Sequence, residues 1–143
     1  MEPADTIKLD LPASHRYLNV LGECIDAMLK RVEGVAEVAS LSYAVQLAAH
    51  EACTNIIDHA YEGQAGARIQ VELQVRGGES PGQIVIEIRD TGAPFNPLTV
   101  PAPNLDEPHE HGYGMYLMHE LMDEISFATD SVGNICRMRK RLS

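Results

Sequence analysis

Basic residues are scarce in this chain: 11 Lys and Arg stand against 21 Asp and Glu, a formal net charge of -10 over 143 residues. Such an acidic balance lacks the cationic footprint that nucleic acid or an anionic membrane requires, and neither is expected as a partner. Cysteine is scarce as well. The three present, Cys24, Cys53 and Cys136, are odd in number and lack CxxC spacing, which argues against a disulfide framework or a zinc ribbon and fits a reducing cytoplasm. No apolar run reaches the ~18 residues of a membrane helix. Met1–Asp5 carries no basic stretch leading into an apolar run, so a soluble chain without an export signal is expected. Repeats, low-complexity tracts, a Walker A sequence and a Rossmann fingerprint are all missing. What remains is ordinary globular material, 45% hydrophobic and 22% charged, with a length that suits one domain over residues 1–143.

Hydrophobic periodicity sketches the layout. Ile7, Leu9 and Leu11 alternate with Lys8 and Asp10 as a short strand stopped by Pro12. Ser14 is placed to cap a helix over about 15–31, with Leu18, Leu21, Ile25, Met28 and Leu29 at helical spacing. A second helix spans about 38–61 on a stripe of Leu41, Val45, Ala48, Ala49, Ala52 and Ile56. Two runs of period two, 69–75 and 84–88, flank a Gly- and Pro-containing turn and read as an antiparallel hairpin. A helix over 112–123 and two strands, about 125–129 and 135–142, complete an α+β layer with helices on one face of a mixed, mostly antiparallel sheet. The Pro-rich stretch from Thr91 to His111 has no regular pattern, and a loop that long is often a functional lid.

Three places carry chemistry. On the second helix Glu51, Asn55 and His59 recur at every fourth position, so they share nearly one face. They are a polar border on an amphipathic helix, or a general base with a ligand for a hard cation such as Mg²⁺; spacing leaves both open. On the strand over 83–90, Asp90 falls on the same face as Ile84, Ile86 and Ile88, which puts a carboxylate at the end of a buried row. Asp90-Thr91-Gly92 then reads as a common turn or as a hydrogen-bonding site for a nucleobase amine. Lastly, Gly112-Tyr113-Gly114-Met115 opens a helix, where free backbone N–H groups suit phosphate.

Taken together these segments resemble the GHKL (Bergerat-fold) ATPases, and more closely the bacterial anti-sigma-factor serine/threonine kinases of the RsbW type. The residues that carry the resemblance are Glu51-Ala52-Cys53-Thr54-Asn55 with His59-Ala60-Tyr61, Asp90-Thr91-Gly92-Ala93-Pro94-Phe95, and Gly112-Tyr113-Gly114 running on to Leu121-Met122-Asp123-Glu124. By position, the resemblance implies that Asn55 holds Mg²⁺ against the phosphates of ATP and that Asp90 accepts from the adenine amino group beside Gly92. It further implies that Gly112, Tyr113, Gly114 and Met115 line the phosphate seat, that His59 approaches the phosphates, and that Glu51 is the general base toward a substrate serine. The implied cofactors are ATP and Mg²⁺. The implied partners are a STAS-type antagonist, which is phosphorylated, and a sigma factor, which is sequestered, with the kinase as a homodimer.

Two departures qualify that likeness. Pro94 stands where the broad superfamily often has a second glycine, which stiffens the hinge of the lid. Between Asp90 and Glu120 there is no Lys or Arg, so neutralising a triphosphate should fall on Mg²⁺ and backbone donors, and affinity for ATP should depend steeply on the metal. His109 and His111 are the lid's possible cations, or a pair of transition-metal ligands without a third. Along 136–142, Arg137, Arg139 and Arg141 form one cationic strand face, read as solvated or as a docking surface for an acidic partner. The functional alternative to a kinase is a non-catalytic, ATP-gated module that sequesters a regulatory protein.

Overall fold

Alternating apolar residues dictate the sheet. In the computed structural model, which describes residues 5–62, 64–76, 82–94 and 113–143, β1 (Asp5–Pro12), β2 (Arg68–Arg76), β3 (Gln83–Asp90), β4 (Glu124–Thr129) and β5 (Asn134–Arg141) form one sheet in the order β1-β2-β3-β5-β4. Each of these four pairings is antiparallel, so the expected mixed sheet is, among the described residues, wholly antiparallel. Registers Val71↔Ile88↔Cys136 and Leu73↔Ile86↔Met138 line the buried positions up across three strands. These side chains are at most 6% exposed and meet α1 (Leu18–Leu29), α2 (Val38–Asn55) and α3 (Tyr113–Leu121) in one core, which is the α+β layer the periodicity predicts.

The opposite face of the sheet is polar, with Lys8↔Glu72↔Glu87↔Arg137 in one register row. The arginines there have acids close by: Arg89 pairs with Glu87 at 2.6 Å, Arg68 with Asp10 at 2.7 Å and Arg139 with Glu124 at 3.0 Å. Exposed pairs of this kind contribute little to stability, about 0–1 kcal/mol each, and they describe a solvated face. Val85 is a buried apolar residue on this face, 3% exposed between its register partners Gln74 and Arg139, whose long side chains can cover it.

The helices differ from expectation at their ends. Leu18, Leu21, Ile25, Met28 and Leu29 are buried as their spacing predicts. However, His15–Tyr17 form a 3₁₀ turn, the α-helix begins at Leu18, and Ser14 contributes its carbonyl to Tyr17 N–H rather than a side-chain cap. Gly22 on α1 lets α2 approach: a methyl there would meet the side-chain oxygen of Gln46 on α2 at 3.0 Å. The buried Ser42 hydroxyl donates to Asp26 at 2.7 Å and accepts from Gln46 at 2.8 Å, so a polar group sealed between the two helices is satisfied.

The regular helix expected through residue 61 ends at Asn55 and widens into a π-turn, Ile56–Ala60, closed by Tyr61 N–H to Ile56 C=O at 2.9 Å. Such turns accommodate extra backbone per revolution and are frequent at functional sites. Of the expected lid, residues 95–111 lie outside the described residues, as does Gly112.

Candidate functional site

The end of the buried row on β3 is closed by a hydrogen-bonded clamp. Asp90 is 6% exposed, and its Oδ1 accepts from the backbone N–H of Gly92 at 2.9 Å and from Asn134 Nδ2 at 2.8 Å. Asn134, the first residue of β5, also donates to Gly92 C=O at 3.1 Å. Its own carbonyl oxygen accepts from the Thr129 hydroxyl at 2.9 Å. The buried carboxylate thus has the partners that burial demands, all of them on one oxygen among the bonds of the described residues. The turn reading of Asp90 and its inward position are therefore both realised.

Glycine is needed here for close approach. A methyl at Gly92 would lie 2.6 Å from the Ala60 carbonyl oxygen, and one at Gly133 would lie 2.2 Å from that of Asp90. The π-turn explains the first contact. It leaves the Ala60 carbonyl at the helix end, where it accepts from Ala93 N–H at 2.8 Å. Next to it, the buried Tyr61 hydroxyl accepts from Thr91 N–H at 2.9 Å and donates to Arg68 C=O at 2.6 Å. The strand end, the helix end and the β4–β5 turn are thereby tied to one another.

Between them lies a cleft of about 330 Å³, the size of a small-ligand site. Asn55 of α2 and Asp90 of β3 line it together with Asn134, Thr129 and Pro94. Ala52, Ile56, Phe127, Ile135 and Cys136 supply apolar wall. Burial pushes the thiols of Cys136 and Cys53 up to about 12, so both stay protonated and unreactive near neutrality.

Of the residues singled out from sequence, the structure brings Asn55 and Asp90 to this cleft, with Gly92 in the clamp beside it. Glu51 is half-buried one turn before Asn55 on α2 and is not among the described lining. His59 is exposed within the π-turn, past the point where the α-helical spacing that aligned it with Asn55 ends, and it does not line the cleft. Tyr113, Gly114 and Met115 form the first turn of α3. Sequence reasoning missed Asn134, Thr129 and Gly133. The available signal was the Gly133-Asn134 pair opening the last strand, but Asn134 stands 44 positions from Asp90, beyond the reach of any local pattern.

Comparison with known proteins agrees with this fold. The family described as Histidine kinase-like ATPase domain matches residues 11–140. Serine-protein kinase RsbW of Bacillus pumilus is 31% identical over 140 residues, covering 91% of this chain and 82% of that protein. The Bacillus subtilis protein of the same name is 30% identical over 132 residues, covering 85% and 77%. Among solved structures, one of the RsbU and RsbW domains of a Mycobacterium tuberculosis protein superposes with a TM-score of 0.67 at 16% identity, covering 98% of this chain and 33% of that one. The histidine kinase domain of an Erythrobacter litoralis blue-light activated kinase gives 0.56 at 19% identity, covering 99% and 65%. These two likenesses speak for the fold, and this chain spans less than two thirds of either. The chain belongs to the histidine kinase-like (GHKL) ATPase family, close to the RsbW type.

Proposed function

We propose that this chain is an ATP-dependent protein serine/threonine kinase of the anti-sigma-factor type, which phosphorylates a STAS-type antagonist and sequesters a sigma factor by partner switching. The observation that carries the reading is the meeting of Asn55 and Asp90 on one cleft, a carboxamide from a helix and a clamped carboxylate from a strand. The residues present fit the nucleotide. A purine suits the apolar wall, and the Asp90 oxygen outside the clamp, Oδ2, is suited to accept from an exocyclic amine.

They also fit Mg²⁺. Among the described residues no three or more His, Cys, Asp or Glu side chains gather as a cage. Asn55 offers a side-chain oxygen at the cleft, which matches a cation that keeps several waters and is held mainly through substrate phosphates. When bound, the ion would supply the charge neutralisation that phosphoryl transfer needs. Backbone N–H groups at Gly112 and Gly114 would face the phosphates. Glu51 would take the proton of the partner's serine hydroxyl as its oxygen bonds to the γ-phosphorus and the bond to the β-bridging oxygen breaks, releasing ADP.

The homologous kinases support the activity, and the meeting of Asn55 and Asp90 on one cleft supports one nucleotide per chain. A homodimer and a cytoplasmic setting complete the proposal; no helix among the described residues is long and apolar enough to cross a membrane. The position of Glu51 outside the described cleft lining favours a second reading, an ATP-gated binding module without phosphotransfer. Incubation with γ-labelled Mg-ATP and a candidate STAS antagonist separates the two. Label on the antagonist supports the kinase; nucleotide-dependent complex formation without label supports the module. Chelation by EDTA should weaken ATP binding steeply, and equal affinity with and without metal would refute the role given to Asn55.

A further inference from the structure

The amide of Asn134 is held in one orientation. Thr129 Oγ1 donates to its oxygen at 2.9 Å, and its nitrogen donates to Asp90 Oδ1 at 2.8 Å and to Gly92 C=O at 3.1 Å. Exchanging oxygen and nitrogen would set an acceptor against two acceptors, the carboxylate and the carbonyl, while the Thr129 hydroxyl would merely change from donor to acceptor. Three of the four hydrogen-bonding positions of the side chain are therefore fixed by the β4–β5 turn and the strand end. Asn134 and Thr129 both line the cleft that Asp90 lines, so the clamp sits at the ligand's edge.

We propose that Asn134 is a positioning residue that sets base selectivity through Asp90. The inference rests on the nucleotide-binding reading above and adds to it the source of discrimination among purines. With Oδ1 taken up by Asn134 and the Gly92 N–H, Asp90, which lines the cleft, keeps its other oxygen for the ligand as an acceptor only. A 6-amino purine brings the matching donor. A 6-oxo purine brings an acceptor to that place and carries its donor on N1 instead, so in the same pose two desolvated acceptors face one another unpaired.

Asn134→Asp reverses this logic within the same shape. It places a second carboxylate in hydrogen-bond contact with the first, and such a pair shares a proton, so the site can donate as well as accept. Thr129→Val is the milder variant: it keeps the Asn134 donors but removes the hydroxyl that holds the amide oxygen in place.

The test is calorimetric titration of the full chain with Mg-ATP and with Mg-ITP, which differ at the purine 6-position and in the hydrogen on N1, for the native protein and both variants, each checked by thermal melting. The native protein should prefer ATP by at least about a hundredfold. Asn134→Asp should shrink the ATP-to-ITP ratio by about tenfold or more, and Thr129→Val should shrink it by less. If the first variant does not fold, the second decides by the same ratio. Weakening of both nucleotides by one common factor would mean a structural role and would overturn the inference while leaving the nucleotide reading intact. A native protein that binds neither nucleotide would overturn both.

Discussion

Replacing Gly92 by alanine tests how the helix end and the strand end are fitted together. The new methyl would stand 2.6 Å from the Ala60 carbonyl oxygen and 2.7 Å from its carbon, and both atoms are backbone. To restore van der Waals contact the turn must withdraw by roughly 0.8 Å. The Ala93 N–H to Ala60 C=O bond, 2.8 Å in the native chain, would then stretch beyond hydrogen-bonding range. Overpacking costs about 1–3 kcal/mol and the lost bond about 0.5–1.5 kcal/mol more, so the expected destabilisation is about 3 kcal/mol. Gly66 is the control, because its φ of +79° disfavours a side chain while nothing lies within 4 Å of the added methyl. Gly66→Ala should cost about 1 kcal/mol from backbone conformation alone. Urea unfolding of the three proteins gives both numbers from midpoints at constant slope. A Gly92→Ala variant no less stable than Gly66→Ala would refute the steric account.

Other outcomes follow from burial, charge and position. A thiol reagent at pH 8 should modify only Cys24 of the three cysteines in the native state and all three in guanidinium, because burial keeps Cys53 and Cys136 protonated up to about 12. Since their native values are raised, the stability this confers is complete below the ordinary thiol range and is lost as pH rises toward about 12. Hydrogen bonds from Lys30 and Ser42 hold the Asp26 carboxyl below its ordinary value. Its contribution is therefore present above the ordinary carboxylate range and is lost as pH falls through the lowered one, and the melting-temperature gap between native and Asp26→Asn should close in acid. Glu51→Gln should cut phosphotransfer to the antagonist by about 10²–10⁴-fold with ATP affinity unchanged, as read by labelled transfer alongside calorimetry; unaltered transfer would remove Glu51 from the mechanism.

What could be read from sequence was what lies within one element. Alternation placed Ile84, Ile86, Ile88 and Asp90 on one side of β3, and that side is buried. The helical stripe of α2 was equally legible through Ala52. The π-turn was not, because Ile56–Ala60 keeps an apolar composition that a regular helix would also show, whereas the bond from Ala93 N–H to the Ala60 carbonyl at its end is a long-range contact. That end effect is why the i+4 rule linked His59 to Asn55 although only Asn55 lines the cleft. Gly92 was legible as a site of close approach, but the atom approaching it is the Ala60 carbonyl, supplied by a helix 32 positions earlier. Asn134 escaped altogether, since its importance lies in the β3–β5 register Asp90↔Asn134, which no local pattern encodes.

The central claim, that Asp90 reads the base of a bound nucleotide in the cleft shared with Asn55, is tested most directly by calorimetric titration of Mg-ATP into the native chain and into Asp90→Asn, with folding of both verified by circular dichroism. The account predicts saturable binding of one ATP per chain to the native protein and a loss of about a hundredfold in the variant, the scale of one charge-assisted hydrogen bond within a desolvated site. Equal affinity in the two folded proteins, or no binding to the native one, would contradict it.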